Sequence, residues 1–439
     1  MLDAARRRET HEALAGSSMA ALADIATTTL VAPSCWTIPC VASTLTGLFP
    51  AEHGMSWPLE RGRLEAPTVA DLLADAGRSF RLLSGNHLYA PPVMRLPEDC
   101  IEFPRRHSWR PGTFLGRTLS LIDYGGRAIL RGVERMAAER ELPDLLVLHL
   151  QEAHHPYLAP PRGPAPGARA RYAAGHLAYY LTRGAQVWQF AAGADERAWR
   201  RQRARYLECI DYAVGIVEGV LGAYDRAGAL ESALVVITAD HGEHLGEHGL
   251  ADHQASLHDD LVNCPCALLA PELTPGAELP GQFQHTDLLM TLCNYLDVPT
   301  AGYDPAWAPR DILAAQGRSR GHEHAFMQWS AWGPEQIAAL QSRNPAYDFS
   351  ALRRDLRAVR SRRWKYISGS DGSEALYDLR ADPAERRDLC VERPEVLREL
   401  DAKLRDWLRC VTEGRSVCEE DRQGGGRIAE ERLRGLGYV

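Results

Sequence analysis

Short apolar runs alternate with longer stretches of helical periodicity along most of this chain. Unbroken apolar runs are typical of strands covered on both faces, and they predict strands within 144–149, 234–238 and 266–269. A further strand is expected near 78–83. Apolar residues recur every three to four positions over 206–224 and 285–296, which predicts helices. The alternation of strand and helix indicates an α/β fold with a doubly wound, mostly parallel sheet flanked by helices.

The pattern changes after Pro309. Residues 356–367 and 375–379 read as strands of a small antiparallel sheet, and 394–408 reads as an amphipathic helix. We therefore expect a larger α/β domain over 1–310 and a C-terminal α+β subdomain with terminal helices over 311–439. Within the first, 160–205 starts Pro- and Gly-rich and then becomes aromatic and basic, which fits either a lid over the crevice or a packed pair of surface helices.

The strand predicted at 234–238 runs directly into Asp240, His241 and Gly242. Open α/β sheets bind ligands where such strands end, so both polar side chains would point into the crevice. A carboxylate oxygen and an imidazole nitrogen are ordinary ligands for a divalent cation, and a glycine permits a sharp turn beside them. Taken alone, the segment fits a metal site or a structural loop equally well.

Five segments of the chain, in order, resemble the sulfatase branch of the alkaline phosphatase superfamily. They are Leu2–Arg6, 32–54, 149–157, 240–253, and the C-terminal stretch 357–383 with Trp364-Lys365-Tyr366 and Asp382-Pro383. The resemblance implies the family's fold, a metal-dependent ester hydrolase, and a metal shell of Asp3, Thr37, Asp240 and His241. It also implies that His154 and His253 face the substrate, His253 standing where the family usually has a lysine or histidine.

The nucleophile segment departs from the family's pattern. True sulfatases carry a cysteine or serine followed by X-Pro-X-Arg, which is converted to formylglycine. Here that register reads Thr37-Ile38-Pro39-Cys40-Val41, and neither Cys35 nor Cys40 is followed by the required proline and arginine. Formylglycine chemistry is therefore not expected, and the threonine resembles the phosphoryl-transfer members of the superfamily, which use a hydroxyl directly.

A threonine can serve as nucleophile here because a coordinated cation lowers the pKa of its hydroxyl. Pro39 suits a first helical turn, which would place backbone N–H groups beside a tetrahedral anion. The other interpretation is that Thr37 only caps a strand-to-helix turn. With the remaining segments in view, we interpret Thr37 as the nucleophile.

Three oxygens and one nitrogen suit manganese, zinc, magnesium or calcium. Sulfatases usually carry two adjacent aspartates in the first segment, whereas Asp3 is followed by Ala4, so calcium is disfavoured and manganese or zinc favoured. Two-metal relatives add a carboxylate and two histidines. No clearly matching aspartate is visible here, so we expect one metal, with a second possible but not favoured.

The remaining pocket residues have more than one interpretation. His154 and His253 could stabilise or protonate the departing oxygen, work that suits an imidazole. His149 ends a predicted strand and either lines the crevice, binding substrate, or only satisfies a carbonyl. Arg6 has three interpretations: it binds substrate, it braces Asp3, or it forms a surface ion pair.

Composition limits the function classes. At 439 residues with 45% hydrophobic residues the chain can bury a large core, and a net charge of −8 argues against a dedicated nucleic-acid binder. The ten cysteines have no metal-knuckle spacing, and neither a signal peptide nor an apolar run of about 18 residues is visible, so we expect a cytoplasmic protein without membrane contact. The family's first strand would precede Leu2, and whether the native start lies upstream of Met1 cannot be read from the sequence.

The sequence thus predicts hydrolysis of a small phosphate or phosphonate ester, with a phosphodiester favoured, through a covalent phosphothreonine at Thr37. Three alternatives stay open: transfer of the phosphoryl group to another alcohol, hydrolysis of a sulfate ester, and a non-catalytic scaffold. The side groups of the substrate and the oligomeric state cannot be read from the sequence.

Overall fold

The computed structural model describes residues 1–19, 22, 25–56, 63–86, 91–102, 124–160, 174, 185–300, 309–316 and 321–413. Its main strands, β1 to β10, are Ala26–Val31, Phe80–Ser84, Leu145–His149, Val235–Thr238, Cys266–Leu269, Glu278–Gln284, Ala325–Trp329, Leu356–Arg360, Trp364–Gly369 and Glu374–Asp378. Its main helices, α1 to α9, are Arg7–Ala15, Thr37–Thr46, Val69–Asp75, Gly126–Glu139, Ala185–Gly193, Glu196–Arg226, Thr286–Tyr295, Pro334–Arg343 and Pro394–Glu413. Short helices cover Pro50–His53, Pro91–Met94 and Asp259–Val262.

Leu2 joins two groups of strands into one mixed sheet. On one side β2 runs parallel to β3, and on the other β5 runs antiparallel between β4 and β1, while β1 runs parallel to β6. Leu2 forms parallel bridges with Leu150, just after β3, and with Ala239, just after β4. β1, β2, β3, β4 and β6 therefore share one direction, which confirms the predicted mostly parallel α/β sheet.

An apolar cavity of about 450 Å³ lies between β3 and β4 behind the chain's first residues. Met1, Leu145, Val236 and Leu292 are among the residues that line it.

Helices cover the sheet where its strands present apolar side chains. Leu146 and Leu148 of β3 pack against Val133 and Ala223, which lie on α4 and α6. Because side chains alternate along a strand, Leu145 and Val147 point to the opposite face. A second group of helices, α2, α3 and α7, packs together in the larger core cluster.

The C-terminal strands β7 to β10 form a separate antiparallel sheet, in that order. One row of directly paired residues crosses it and faces α9: Phe326, Val359, Tyr366 and Leu376. Helix α9 packs against this row with an apolar stripe at helical spacing, Leu400, Leu404, Trp407 and Val411. The Phe326 and Trp407 rings stack with centroids 4.9 Å apart. This is the small antiparallel sheet and helix that the sequence predicts.

Two of the sheet's strands, β1 and β6, are missing from the sequence prediction. β6 contains Pro280 and Gly281, the latter at φ 133°, and such residues normally argue against a strand.

Among the described residues no helix is long and apolar enough to cross a membrane. Of the predicted lid, 161–173 and 175–184 lie outside the described residues, as does the predicted terminal helix after 413. Trp188 on α5 packs against Tyr347 and Phe349.

Candidate active site

The candidate site lies at the carboxyl ends of the parallel strands. Asp240 and His241 follow β4, His149 ends β3, and Asp3 follows Leu2 between them. Thr37 begins α2 after β1. Strands that run in one direction bring their following residues to one edge of the sheet, which is how residues far apart in sequence meet here.

Asp3, Thr37, Asp240 and His241 come together around the imidazole of His241. Its Nε2 lies 3.2 Å from Thr37 Oγ1, 3.5 Å from Asp240 Oδ2 and 3.8 Å from Asp3 Oδ1. All four side chains are buried, with at most 2% exposure. The four residues that the resemblance assigns to a metal shell therefore occupy one buried cluster, although their role as ligands stays a prediction.

The side-chain oxygens and the nitrogen that face one another in this cluster suit a divalent cation. Asp3 Oδ1 and Asp240 Oδ2, the two oxygens that face His241, are buried without a hydrogen-bond partner among the described residues. His241 Nδ1 lies 2.8 Å from the carbonyl oxygen of Gly242, so it carries the proton, and Nε2 presents a lone pair to the cluster. A cation would satisfy both oxygens and the nitrogen at once.

The pKa values of the cluster agree with that requirement. Burial raises the pKa of Asp3 well above its usual value, and the nearby Asp240 carboxylate adds to the rise. Burial opposes ionisation of Asp240 as well, but His241 and His149 bring its pKa below the usual range. Burial lowers the pKa of His241 to about 4, so the ring is neutral at pH 7 and available to a metal. Two adjacent buried carboxylates need a cation to be charged together.

Thr37 does not act as a helix cap. Trp36 is the N-cap of α2 and makes no side-chain capping bond, while Thr37 is the first helical residue. Its hydroxyl instead faces His241 Nε2. The interpretation of Thr37 as a simple cap is therefore disfavoured, and the hydroxyl lies in the cluster where a nucleophile would be needed.

The two cysteines near Thr37 are poor nucleophiles. Burial raises the pKa of Cys35 to about 12, and burial also raises that of Cys40 well above its usual value. Cys40 Sγ donates to the Ser34 carbonyl. Val41, at the position where the formylglycine motif needs arginine, is fully buried in the hydrophobic core. The local structure thus disfavours either cysteine as the nucleophile, and the role of Thr37 stays a prediction.

A second group of polar residues adjoins the first. The His253 ring stacks on His241 with centroids 4.4 Å apart, and the His154 ring lies 5.1 Å from that of His253. Burial disfavours the charged form of His253, but Asp252 and Glu243 raise its pKa well above the usual value. Both predicted pocket histidines therefore lie next to the cluster of Asp3, Thr37, Asp240 and His241, the metal-type cluster.

His154 is the weaker proton donor of the two. Burial lowers its pKa well below the usual value, helped by His155 and His253. Its Nδ1 lies 2.9 Å from the His155 carbonyl oxygen, which makes Nδ1 the protonated nitrogen and leaves Nε2 as an acceptor. Its predicted role in the substrate pocket stays a prediction, and donation of a proton by its Nε2 is disfavoured.

His149 and Arg6 take different places from those suggested for substrate binding. His149 is fully buried, with Nε2 3.6 Å from Asp240 Oδ2 and 3.9 Å from Asp3 Oδ2, so it lies against the metal-type carboxylates. The Arg6 guanidinium pairs with Glu9, Glu247 and Asp260. Among the described residues, no ion pair or hydrogen bond joins it to Asp3. Their assignment to substrate stays a prediction that these contacts do not favour.

Four residues of the site are missing from the sequence prediction. Asn86 Nδ2 donates to Asp3 Oδ2 at 3.1 Å, and His155, Glu243 and Asp252 surround His253. Glu243 and Asp252 lie close in sequence to Asp240 and His253, and that proximity was the available signal. Asn86 follows β2, so only its place at the end of a predicted strand could have drawn notice.

The sulfatase family profile matches residues 124–298, a span that contains His154, Asp240, His241 and His253. The delta 4,5-hexuronate-2-O-sulfatase of Bacteroides thetaiotaomicron is 25% identical over 225 residues, 50% of this chain and 43% of that protein. Arylsulfatase K of Mus musculus is 25% identical over 203 residues, 46% of this chain and 34% of that protein. The match thus spans less than half the length of these curated relatives.

Solved structures share the fold over nearly the whole chain. A putative sulfatase from Bacteroides thetaiotaomicron superposes with a TM-score of 0.69 at 18% identity, covering 95% of this chain and 93% of that one. The phosphonate monoester hydrolase of Agrobacterium radiobacter gives a TM-score of 0.62 at 15% identity, covering 93% and 94%. At such identities the likeness shows the fold alone.

Proposed function

The chain belongs to the sulfatase family, within the alkaline phosphatase superfamily, and on that premise we propose that it is a metal-dependent hydrolase of phosphate or phosphonate esters, with phosphodiesters favoured. The observation that carries the proposal is the Thr37 hydroxyl, 3.2 Å from His241 Nε2. The same nitrogen faces Asp3 Oδ1 and Asp240 Oδ2, two oxygens that have no hydrogen-bond partner among the described residues. A threonine at this place favours direct attack by a hydroxyl over an aldehyde hydrate.

Four residues have distinct roles in the proposed reaction. Asp3, Asp240 and His241 would hold the cation, which lowers the pKa of the Thr37 hydroxyl. Thr37 Oγ1 attacks phosphorus, the bond to the ester oxygen breaks, and a phosphothreonine forms. Water then attacks the same phosphorus, which frees a phosphate monoester from a phosphodiester, or a phosphonate from a phosphonate ester, and restores the hydroxyl.

The departing oxygen leaves on the side opposite Thr37. His253 stacks on His241 and His154 adjoins His253, so both rings lie beside the cluster of Asp3, Thr37, Asp240 and His241. We assign them to stabilising the charge that develops on that oxygen. Of the two, His253 is the better candidate, because Asp252 and Glu243 favour a positive charge at its ring.

A sulfate ester is the second candidate. The names of the relatives favour it, since the hexuronate sulfatase and arylsulfatase K both carry sulfatase names. The missing cysteine and the buried Val41 argue against it, because both belong to the place where the formylglycine motif would stand. In either case the substrate is a small ester, of phosphate or phosphonate for the first candidate and of sulfate for the second.

The proposal is tested with nitrophenyl esters of four kinds: phosphodiester, phosphonate, phosphate monoester and sulfate. The protein is stripped of metal and reloaded separately with manganese, zinc, magnesium or calcium. We expect metal-dependent turnover of the phosphodiester or phosphonate that falls at least about 1000-fold in Thr37→Ala.

Thr44→Ala is the matched control. Thr44 lies in the same helix but bonds the Cys40 carbonyl, away from the cluster, so its removal should change turnover less than about twofold. Preferred turnover of the sulfate ester that survives Thr37→Ala would contradict the proposal.

A further inference from the structure

The Tyr206 hydroxyl lies at the turn that follows Asp3. It donates to the Ala4 carbonyl oxygen at 2.8 Å and accepts from the Arg6 backbone N–H at 2.8 Å. Tyr206 comes from α6, 200 residues beyond Arg6 in the chain, and is fully buried. We propose that Tyr206 is a positioning residue whose hydroxyl fixes this turn and thereby holds Asp3 and Asp240 in the geometry that binds the cation. Its role for the cation rests on the metal site of the proposed function, whereas its hydrogen bonds do not.

The turn after Asp3 is not one that its own residues favour. Ala4 has φ 56°, in the left-handed region that a residue with a Cβ seldom adopts. The backbone therefore needs contacts from elsewhere in the molecule to keep this conformation. The Tyr206 hydroxyl supplies two of them, because it ties the Ala4 carbonyl to the Arg6 N–H across the single residue between them.

Two of the predicted metal ligands depend on this turn. Asp3 directly precedes Ala4, and the Ala4 N–H donates to Asp240 Oδ1 at 3.2 Å. The His241 N–H donates to the same oxygen at 3.0 Å, so Asp240 Oδ2 is left to face His241 Nε2. A change in the Ala4 backbone would therefore displace Asp3 and release one of the bonds that orient Asp240.

The Tyr206 side chain is itself held in place. It belongs to the main hydrophobic core together with Cys209 and Ile210 of the same helix, and the Tyr157 ring meets it edge-on with centroids 5.5 Å apart. Burial raises the pKa of the Tyr206 phenol well above its usual value, so the hydroxyl keeps the proton that it donates to Ala4. An anchored hydroxyl of this kind fixes the turn before a cation arrives, which lowers the entropic cost of binding.

Tyr206→Phe tests the proposal because it removes the hydroxyl and keeps the ring. Full-length protein is stripped with a chelator and titrated with Mn²⁺, and unfolding of the stripped protein in urea is measured separately. We expect the Kd for Mn²⁺ to rise about 10-fold, as when a metal ligand loses a partner that orients it. A role in stability alone would lower the urea midpoint and leave the Kd of the folded protein unchanged, which would overturn the proposal.

Tyr295→Phe is the matched control. Tyr295 lies on α7, and its hydroxyl donates to the Ser232 carbonyl oxygen at 2.9 Å, outside the metal-type cluster. Its loss should therefore change the Kd by less than about twofold.

Ala4→Gly supplies a second check through the backbone. Glycine adopts a φ of 56° without the cost that alanine bears, so the turn depends less on the hydroxyl in this background. Tyr206→Phe should then raise the Kd by less than about threefold relative to Ala4→Gly alone. An undiminished 10-fold rise, to within about twofold, would mean that the hydroxyl does not act through this turn.

Hydrogen exchange at the Arg6 amide measures the bond directly, and it serves if Tyr206→Phe does not fold. In stripped wild-type protein the bond to Tyr206 should already protect this amide. Exchange there at the rate of an unprotected amide would overturn the proposal. A raised Kd in Tyr206→Phe without turnover of any ester by the wild type would support the positioning role and contradict the proposed function alone. Failure of the wild type to bind Mn²⁺ would contradict both.

Discussion

Asn86 shows how one side chain outside the metal-type cluster can control it. Its Nδ2 holds Asp3 Oδ2, which leaves Asp3 Oδ1 pointing at His241 Nε2. We predict that Asn86→Ala weakens binding of the divalent cation about 10- to 100-fold, the usual cost of losing a partner that orients a metal ligand. A Mn²⁺ titration of the stripped protein measures the effect.

Asn294→Ala is the matched control for that titration. Asn294 is an exposed asparagine whose side chain bonds Asp311 on the surface, so its loss should leave the affinity unchanged. Equal affinities in all three proteins would mean that Asp3 needs no help from Asn86.

At the residue scale, the sequence predicted the parts of the site that a short motif carries. Asp240 and His241 stand together after a readable strand, and Thr37 stands in a recognisable register. The structure adds what no motif carries. Asn86 reaches Asp3 only because β2 and β3 pair in parallel, and Arg6 turns away from Asp3 because Glu9, Glu247 and Asp260 surround its guanidinium.

At the element scale, a buried ion-pair network ties the C-terminal sheet to the loop beyond the site. Lys365 of β9 is fully buried and pairs with Asp259 at 2.8 Å and Glu385 at 3.0 Å. We predict that Lys365→Met lowers the free energy of unfolding by about 3–5 kcal/mol, because the buried Glu385 loses its cation and the partly buried Asp259 keeps only Arg360. Guanidinium unfolding at pH 7 measures it.

The chain's other lysine supplies the control. Lys403 is exposed on α9, so Lys403→Met should cost less than about 0.5 kcal/mol. The pKa values of Asp259 and Glu385 are both lowered, since Lys365 and, for Asp259, Arg360 outweigh burial. Their contribution is therefore present above about pH 4 and is lost as pH falls below it, so the Lys365→Met penalty should shrink towards pH 3. A penalty independent of pH would contradict this assignment.

The same scale explains which elements the sequence could predict. β3, β4 and β5 are mostly apolar and were placed within a residue or two, as was α7. β6 was missed because Pro280 and Gly281 interrupt it, and its pairing with β1 supplies what its own residues do not. Local patterns report an element's own preference, whereas pairing is decided by a partner far away in the chain.

At the scale of the whole molecule, metal binding and stability are linked. Asp3, Thr37 and Asp240 come from separate parts of the chain and meet only in the folded state, so a cation bound there stabilises the fold. At a concentration 100-fold above its Kd, one ion contributes about 2.7 kcal/mol. We predict that a chelator lowers the Tm by a few degrees and that Mn²⁺ or Zn²⁺ restores it.

Variants separate this effect from nonspecific binding. Asp240→Asn should remove most of the rise in Tm, whereas Asp225→Asn, an exposed carboxylate late in α6, should keep it. A Tm that ignores metal in the wild type would mean that the cluster is held together without a cation.

In the proposed reaction Thr37 becomes covalently phosphorylated, and that intermediate can be trapped. Metal-loaded protein is mixed with the nitrophenyl phosphodiester or phosphonate that it turns over, quenched in acid within the first turnover, and digested for peptide mass spectrometry. We predict a phosphoryl adduct on the peptide that contains Thr37, localised to that residue and absent from Thr37→Ala. Turnover with no adduct at Thr37, or an adduct on another residue that persists in Thr37→Ala, would contradict the account.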